Sequence, residues 1–198
     1  MAALSLLLTV LLTAISPAAL AIPANSTDFI RRSCTATLYP KLCYTSLKPY
    51  AKTVKQSPLS LAIIAANVSL AKIKESVLKA EALRHHRKRR AGAALRDCVD
   101  VLRTAEDLTK QAMAEIRKLG KPAAQAGRRS SFISEVSNAQ TWMSSVITNE
   151  DTCIDGFGDI GCGGGGGAEV LKGFIRKVRR VERYSSNALA LLNALVEG

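Results

Sequence analysis

The run LRDCVDVLRTAEDLTKQAMAEIRKL (residues 95–119), the linker GKPAAQAGRRSS (120–131) and the run FISEVSNAQTWMSSVITNEDTC (132–153) decide the fold. Both runs place apolar residues in alternating steps of three and four, the spacing of one helix face. Gly120, Pro122 and the serines interrupt that spacing between them. Cys98 lies 21 residues before Leu119, and Cys153 lies 21 residues after Phe132. At about 1.5 Å per residue, each cysteine is roughly 32 Å from the linker. In an antiparallel hairpin they reach the same level and face each other. That register meets the requirement of a disulfide, two Cα atoms within about 7 Å. A helical bundle stapled across two neighbours is expected.

Working outward, two more stripes appear. Leu59, Ile63, Ala66, Leu70, Ile73, Val77 and Ala80 form one, and Leu171, Phe174, Val178, Val181, Ala188, Leu192 and Leu195 form the other. Each stripe of the last three segments has one polar slot, at Thr109, Glu150 and Ser185. Ser57-Pro58 makes a helix start and Gly120-Lys121-Pro122 a stop. Gly156, Gly158, Gly161 and the run Gly163–Gly167 are expected to form a flexible, non-helical connection. Strand signals are absent. These features predict an all-α fold, an up-down-up-down four-helix bundle over residues 57–198. Residues 26–56 are too short for a domain and are expected to make small helices packed on one end or side of the bundle.

Residues 1–21 carry no charge, contain the apolar run Leu4–Leu12 and end in Ala19-Leu20-Ala21. This is the pattern of a secretory signal, and the apolar run is too short, and interrupted by Pro17, for a membrane span. Cleavage leaves residues 22–198 as a single domain, with no later segment apolar enough to span a membrane. Asn25-Ser26-Thr27 and Asn67-Val68-Ser69 are glycosylation sequons that fit a secreted chain. All five cysteines lie in the mature part. Four can pair in three ways, and sequence alone does not choose. Cys34 and Cys43, flanking the bend at Tyr39-Pro40, suit a local clasp. That leaves Cys98 with Cys153, and an odd Cys162 beside five glycines, expected to be a free thiol. The chain-entropy relation gives about 4 kcal/mol for the long bridge and nearer 3 for the short one.

Lys and Arg number 28 against 16 Asp and Glu, a net charge of +12. The densest block is Arg84-His85-His86-Arg87-Lys88-Arg89-Arg90. A secretory signal argues against a nucleic-acid partner, and no aromatic residue interleaves the block to stack on bases. It reads as a solvated inter-helix turn that attracts available polyanions. The residues for catalysis are missing as a set. Both histidines sit in that turn, with no orienting carboxylate of the kind a nucleophilic site needs. No H-x-x-x-H or C-x-x-C spacing offers a metal site, and the glycine run lacks the Lys-Ser/Thr of a phosphate loop. Glu150, Asp151 and Asp155 read as capping or partner-facing carboxylates rather than an acid/base pair. Neither an enzyme nor a cofactor is expected.

CTATLYPKLC (34–43), ALRDC (94–98), WMSSVITNEDTCIDGF (142–157) and SNALAL (186–191) resemble, in order, motifs of the plant invertase/pectin methylesterase inhibitor family, over roughly residues 28–196. The resemblance implies a four-helix bundle preceded by a small helical hairpin, residues 26–56 here, with pairings Cys34–Cys43 and Cys98–Cys153. It implies secretion to the cell wall or vacuole and inhibition of a carbohydrate-active enzyme through a 1:1 complex. The TNEDTCIDGF stretch resembles the pectin methylesterase branch. The Pro-Lys-Phe loop of invertase-directed relatives is absent, Pro40-Lys41 being followed by Leu42. A secreted, apoplastic inhibitor that covers the pectin-binding cleft of a pectin methylesterase is therefore expected. The same motifs occur in pro-regions of some pectin methylesterases; with the sequence ending at Gly198, a stand-alone inhibitor is the expectation. The block 84–90 and the run Gly163–Gly167 depart from the family pattern. Contacts are expected from polar residues off the stripes of the second and third bundle helices: Glu106, Gln140, Ser144, Thr148 and Glu150. Two alternatives are an inhibitor of acid invertase and a basic binder of acidic wall polysaccharide such as de-esterified pectin.

Overall fold

In the computed structural model, residues 25–85, 89–120, 128–158 and 166–197 are described; every described element is helix or turn. The signal region 1–21 and Cys162 lie outside the described residues.

Asn25 starts the first helix, α1 (Ser26–Cys34), its side-chain oxygen accepting a hydrogen bond from the Asp28 N–H at 2.9 Å. Pro40 opens α2 (Pro40–Leu47), where its missing N–H leaves nothing unpaired. A 3₁₀ turn (Lys48–Tyr50) and the single-turn α3 (Ala51–Val54) follow. Lys55, at φ 54°, reverses the chain into α4 (Pro58–His85). Ser57 caps α4, its Oγ accepting from the Ser60 N–H at 3.1 Å. The long helices then run α5 (Arg89–Lys118), α6 (Arg128–Asp155) and α7 (Gly166–Glu197).

Helix α5 lies between α4 and α6, and α7 closes the ring between α6 and α4. This is the up-down-up-down order that short connections impose. Leu95, Leu102, Ile116, Val136, Met143, Val146, Val178 and Leu192 are fully buried on the facing stripes. Cys98 and Cys153 are disulfide-bonded across α5 and α6 with Cα atoms 4.3 Å apart, at the common level that the equal spacings dictate. Cys34 and Cys43 close the clasp between α1 and α2, Cα atoms 5.6 Å apart.

Three expectations change. Four residues of the basic block are helix rather than turn, since Arg84 and His85 end α4 and Arg89 and Arg90 begin α5; residues 86–88 lie outside the described residues. Gly166 and Gly167 belong to α7 rather than to the connection; in a first turn the backbone N–H groups need no intrahelical partner, and Glu169 there favours the helix dipole. On α4 the buried face is also displaced. Leu59, Ile63 and Leu70 are half-buried, whereas Leu61, Ala62, Ala65, Ser69, Ser76 and Leu83 are buried. The cause is the N-terminal segment: α2 and α3 pack on α4, so this helix is covered from two sides.

The segment 26–56 lies along α4 and α7. One side chain fixes it there. The Asn187 amide on α7 accepts from the Tyr39 N–H and donates to the Tyr39 carbonyl, both at 3.1 Å, satisfying both backbone groups at the bend. The chain leaves α6 through a turn at 156–158, which returns Phe157 to the core edge-on to Phe174, ring centroids 6.0 Å apart.

Candidate functional site

Two surfaces carry candidate function, and the buried polar groups between α4, α6 and α7 separate structural from surface roles. On α6, Gln140, Ser144 and Thr148 follow one another at intervals of one turn, Ser144 and Thr148 exposed and Gln140 half-buried. From Val136 to Asn149 the helix carries no charge. Its hydroxyls turn onto their own helix: Thr141 donates to the Ser137 carbonyl, Ser145 to Thr141, Thr148 to Ser144 and Thr152 to Thr148, at 2.8–3.2 Å. Side chains this short lose little rotamer entropy when covered, and the Cys98–Cys153 bond holds the far end of the helix to α5.

Glu106 does not join this surface. It sits on the α4 flank of α5, its Oε1 2.8 Å from Lys110 Nζ and 3.8 Å from Lys74 Nζ of α4. Helix α6 packs on the other flank of α5. Three of the five expected contact residues therefore share a face.

Glu150 is a correction. It is fully buried, not a surface contact. The Ser185 hydroxyl of α7 donates to Glu150 Oε1 at 2.8 Å, and Ser185 Oγ lies 2.7 Å from Ser69 Oγ of α4. Two of the polar slots in the apolar stripes thus find each other across the core, with Ser69 added from the displaced face of α4. The third, Thr109, is satisfied by its own helix through a 2.7 Å bond to the Ala105 carbonyl. Glu150 Oε2 has no hydrogen-bond partner among the described residues. Burial pushes the Glu150 carboxyl up to about 8; the Ser185 hydrogen bond opposes this, and the nearby charges of Glu182 and Asp151 add to it. Burial and Asp151 also raise Glu182, against the attraction of Arg183 and Arg179. A neutral acid inside the bundle is a packing element.

The second surface was not visible in the sequence as a site. Arg176, Arg179, Arg180 and Arg183 line one wall of a groove of about 790 Å³, and Leu38 to Leu42 of the clasp line the other. All four arginines are exposed. Arg183 stacks over the Tyr39 ring, 5.3 Å from its centroid. The arginine stripe is readable in GFIRKVRRVER (173–183), but nothing local says that residues 38–42 face it.

Asn25 is exposed and Asn67 half-buried on α4. Among the described residues no group of three His, Cys, Asp or Glu side chains is placed to hold a metal ion. No helix there is long and apolar enough to cross a membrane.

The family described as plant invertase/pectin methylesterase inhibitor matches residues 28–191. The "21 kDa protein" of Daucus carota is 35% identical over 184 residues, covering 92% of this chain and 90% of the relative. Pectinesterase inhibitor 9 of Arabidopsis thaliana is 36% identical over 179 residues, covering 88% and 83%. Among solved structures, a mutant form of a pectin methylesterase inhibitor from Arabidopsis superposes with a TM-score of 0.60 at 17% identity, covering 81% of this chain and 92% of the other. That superposition speaks for the fold alone. With the family model matching residues 28–191, across both disulfides and into all four long helices, this chain belongs to the plant invertase/pectin methylesterase inhibitor family.

Proposed function

We propose that this chain is a secreted inhibitor that binds a pectin methylesterase 1:1 and covers its pectin-binding cleft. The observation that carries the reading is the α6 face: an uncharged surface through Gln140, Ser144 and Thr148, on a helix tied to α5 by a disulfide. Such a surface docks without desolvating charge and with little loss of side-chain freedom. Blocking is passive; no bond is made or broken by the inhibitor.

The reading takes residues 1–21 as the secretory signal and residues 22–198 as the inhibitor delivered to the apoplast. It takes Asn25 as the better glycan acceptor of the two sequons, being exposed. A glycan attached at Nδ2 leaves the Oδ1 atom free to cap α1.

Titrating oxidised residues 22–198 into a plant pectin methylesterase, and separately into an acid invertase, tests the proposal. Stoichiometric loss of esterase activity alone is expected. Loss of invertase activity alone moves the chain to the other branch of its family and overturns the proposal. So does full activity of both enzymes in the presence of a folded sample.

A further inference from the structure

From the groove between α7 and the N-terminal clasp, we infer a second binding site, for a carboxylate-bearing polysaccharide of the de-esterified pectin type. The observation is a row of four exposed arginines on α7, with Glu182 as the nearby carboxylate and no direct ion pair. Arg176, Arg179, Arg180 and Arg183 form no ion pair among the described residues, although two lysines of the same helix do: Lys172 with Glu169 at 3.0 Å and Lys177 with Glu75 at 3.8 Å. The four follow at steps of three, one and three residues, so their Cα atoms span about 10 Å along the helix axis. One nearby Glu182 leaves the row with an excess of positive charge, which an added anion would offset.

The wall opposite decides what kind. Leu38, 72% exposed, and Pro40 supply an apolar edge, and Lys41 adds one more charge. The Asn187–Tyr39 hydrogen bonds and the Cys34–Cys43 disulfide fix that edge against α7, so the groove is held open before any ligand arrives. One wall is helix α7 and the other is the bend at Leu38–Tyr39 running into the first turn of α2, so neither wall is a strand. An extended acidic peptide finds no sheet edge to bond its own N–H and C=O groups, and an acidic helix finds no row of apolar pockets for its anchors. A uronate chain needs neither. Its carboxylates match the planar fork of arginine two bonds at a time, and its sugar C–H faces can lie on Leu38 and Pro40. The choice of polyuronate over other polyanions rests on the proposed function, because ester hydrolysis by the target enzyme leaves carboxylates on pectin. The site would hold the inhibitor on the product of the reaction it stops.

The test is calorimetric titration of the full mature protein, in 0.15 M salt, with three probes: an oligogalacturonate, the same oligomer methyl-esterified, and polyglutamate. Arg179→Gln with Arg183→Gln is compared with Arg96→Gln with Arg117→Gln, which removes the same charge from exposed positions on α5. The expected result is oligogalacturonate binding that the first pair weakens at least tenfold and the second less than twofold, with no binding of the ester. Thermal unfolding of both variants serves as the fold control. Equal weakening by both pairs would mean diffuse attraction by net charge and overturn the inference. Polyglutamate binding as tightly as the oligogalacturonate would also overturn it and make the groove an acidic-peptide site. Esterase inhibition is scored on the same samples, so the two proposals fail separately: a chain that binds the oligomer but inhibits nothing keeps this site and loses the proposed function.

Discussion

Replacing Glu150 by Gln should remove most of a pH dependence of stability that this bundle carries in its core. The carboxyl is held near 8 inside the protein, against about 4.5 for the free group, chiefly by burial. The folded state therefore keeps a proton that the unfolded chain releases, and stability falls as pH rises between those two values. The slope is about 1.4 kcal/mol per pH unit, on the order of 3 kcal/mol between pH 5 and pH 7. Below pH 4.5 the group is neutral in both states and contributes nothing to the slope. Gln has the same shape, still accepts from Ser185 through Oε1, and likewise leaves its second polar atom without a partner. At pH 5 the variant should thus lie within about 1 kcal/mol of the wild type. By pH 7 it should be the more stable of the two by on the order of 2–3 kcal/mol. Urea unfolding followed by far-ultraviolet circular dichroism, disulfides intact, at pH 5, 6, 7 and 8 measures this. Subtracting wild type from variant cancels the contributions that the two proteins share. A difference that stays flat from pH 5 to pH 8 would refute the assignment of Glu150 as a buried neutral acid.

Three other outcomes follow from the same packing. Converting Cys98 and Cys153 together to Ser should lower stability by about 2–5 kcal/mol, read as a drop in the urea midpoint that reductant no longer deepens at this bridge. Asn187→Leu removes both hydrogen bonds to Tyr39 and should free the clasp from α7, so trypsin cuts after Lys41 sooner while the long helices keep their circular dichroism; unchanged cleavage would mean that apolar contacts alone hold the segment. Ser144→Arg adds a long charge to the uncharged α6 face and should weaken esterase inhibition at least tenfold without lowering the melting temperature. The same change at Ser60 on α4 should have no effect on inhibition.

The bundle was legible in the chain because its information is local and periodic. The stripes through Leu102 on α5, Met143 on α6 and Val178 on α7 repeat every three or four residues, and helix geometry turns that repeat into a buried face. The level meeting of Cys98 and Cys153 needed only the rise per residue and the position of the linker. The polar slots at Glu150 and Ser185 were equally visible, but their meaning was not: a carboxylate that interrupts an apolar stripe reads as a surface contact until a second helix is placed over it. Only the closing of α7 against α6 made Glu150 a buried, neutral partner of Ser185. The arginine row from 176 to 183 was likewise present as a pattern, and it became a groove when Asn187 tied Tyr39 to α7, across 148 residues of sequence. Periodicity within one helix determined which faces turn inward. Contacts between distant segments decided which polar residues are core, which are surface, and where the unpaired positive charge collects, because burial and charge pairing depend on neighbours that no local pattern names.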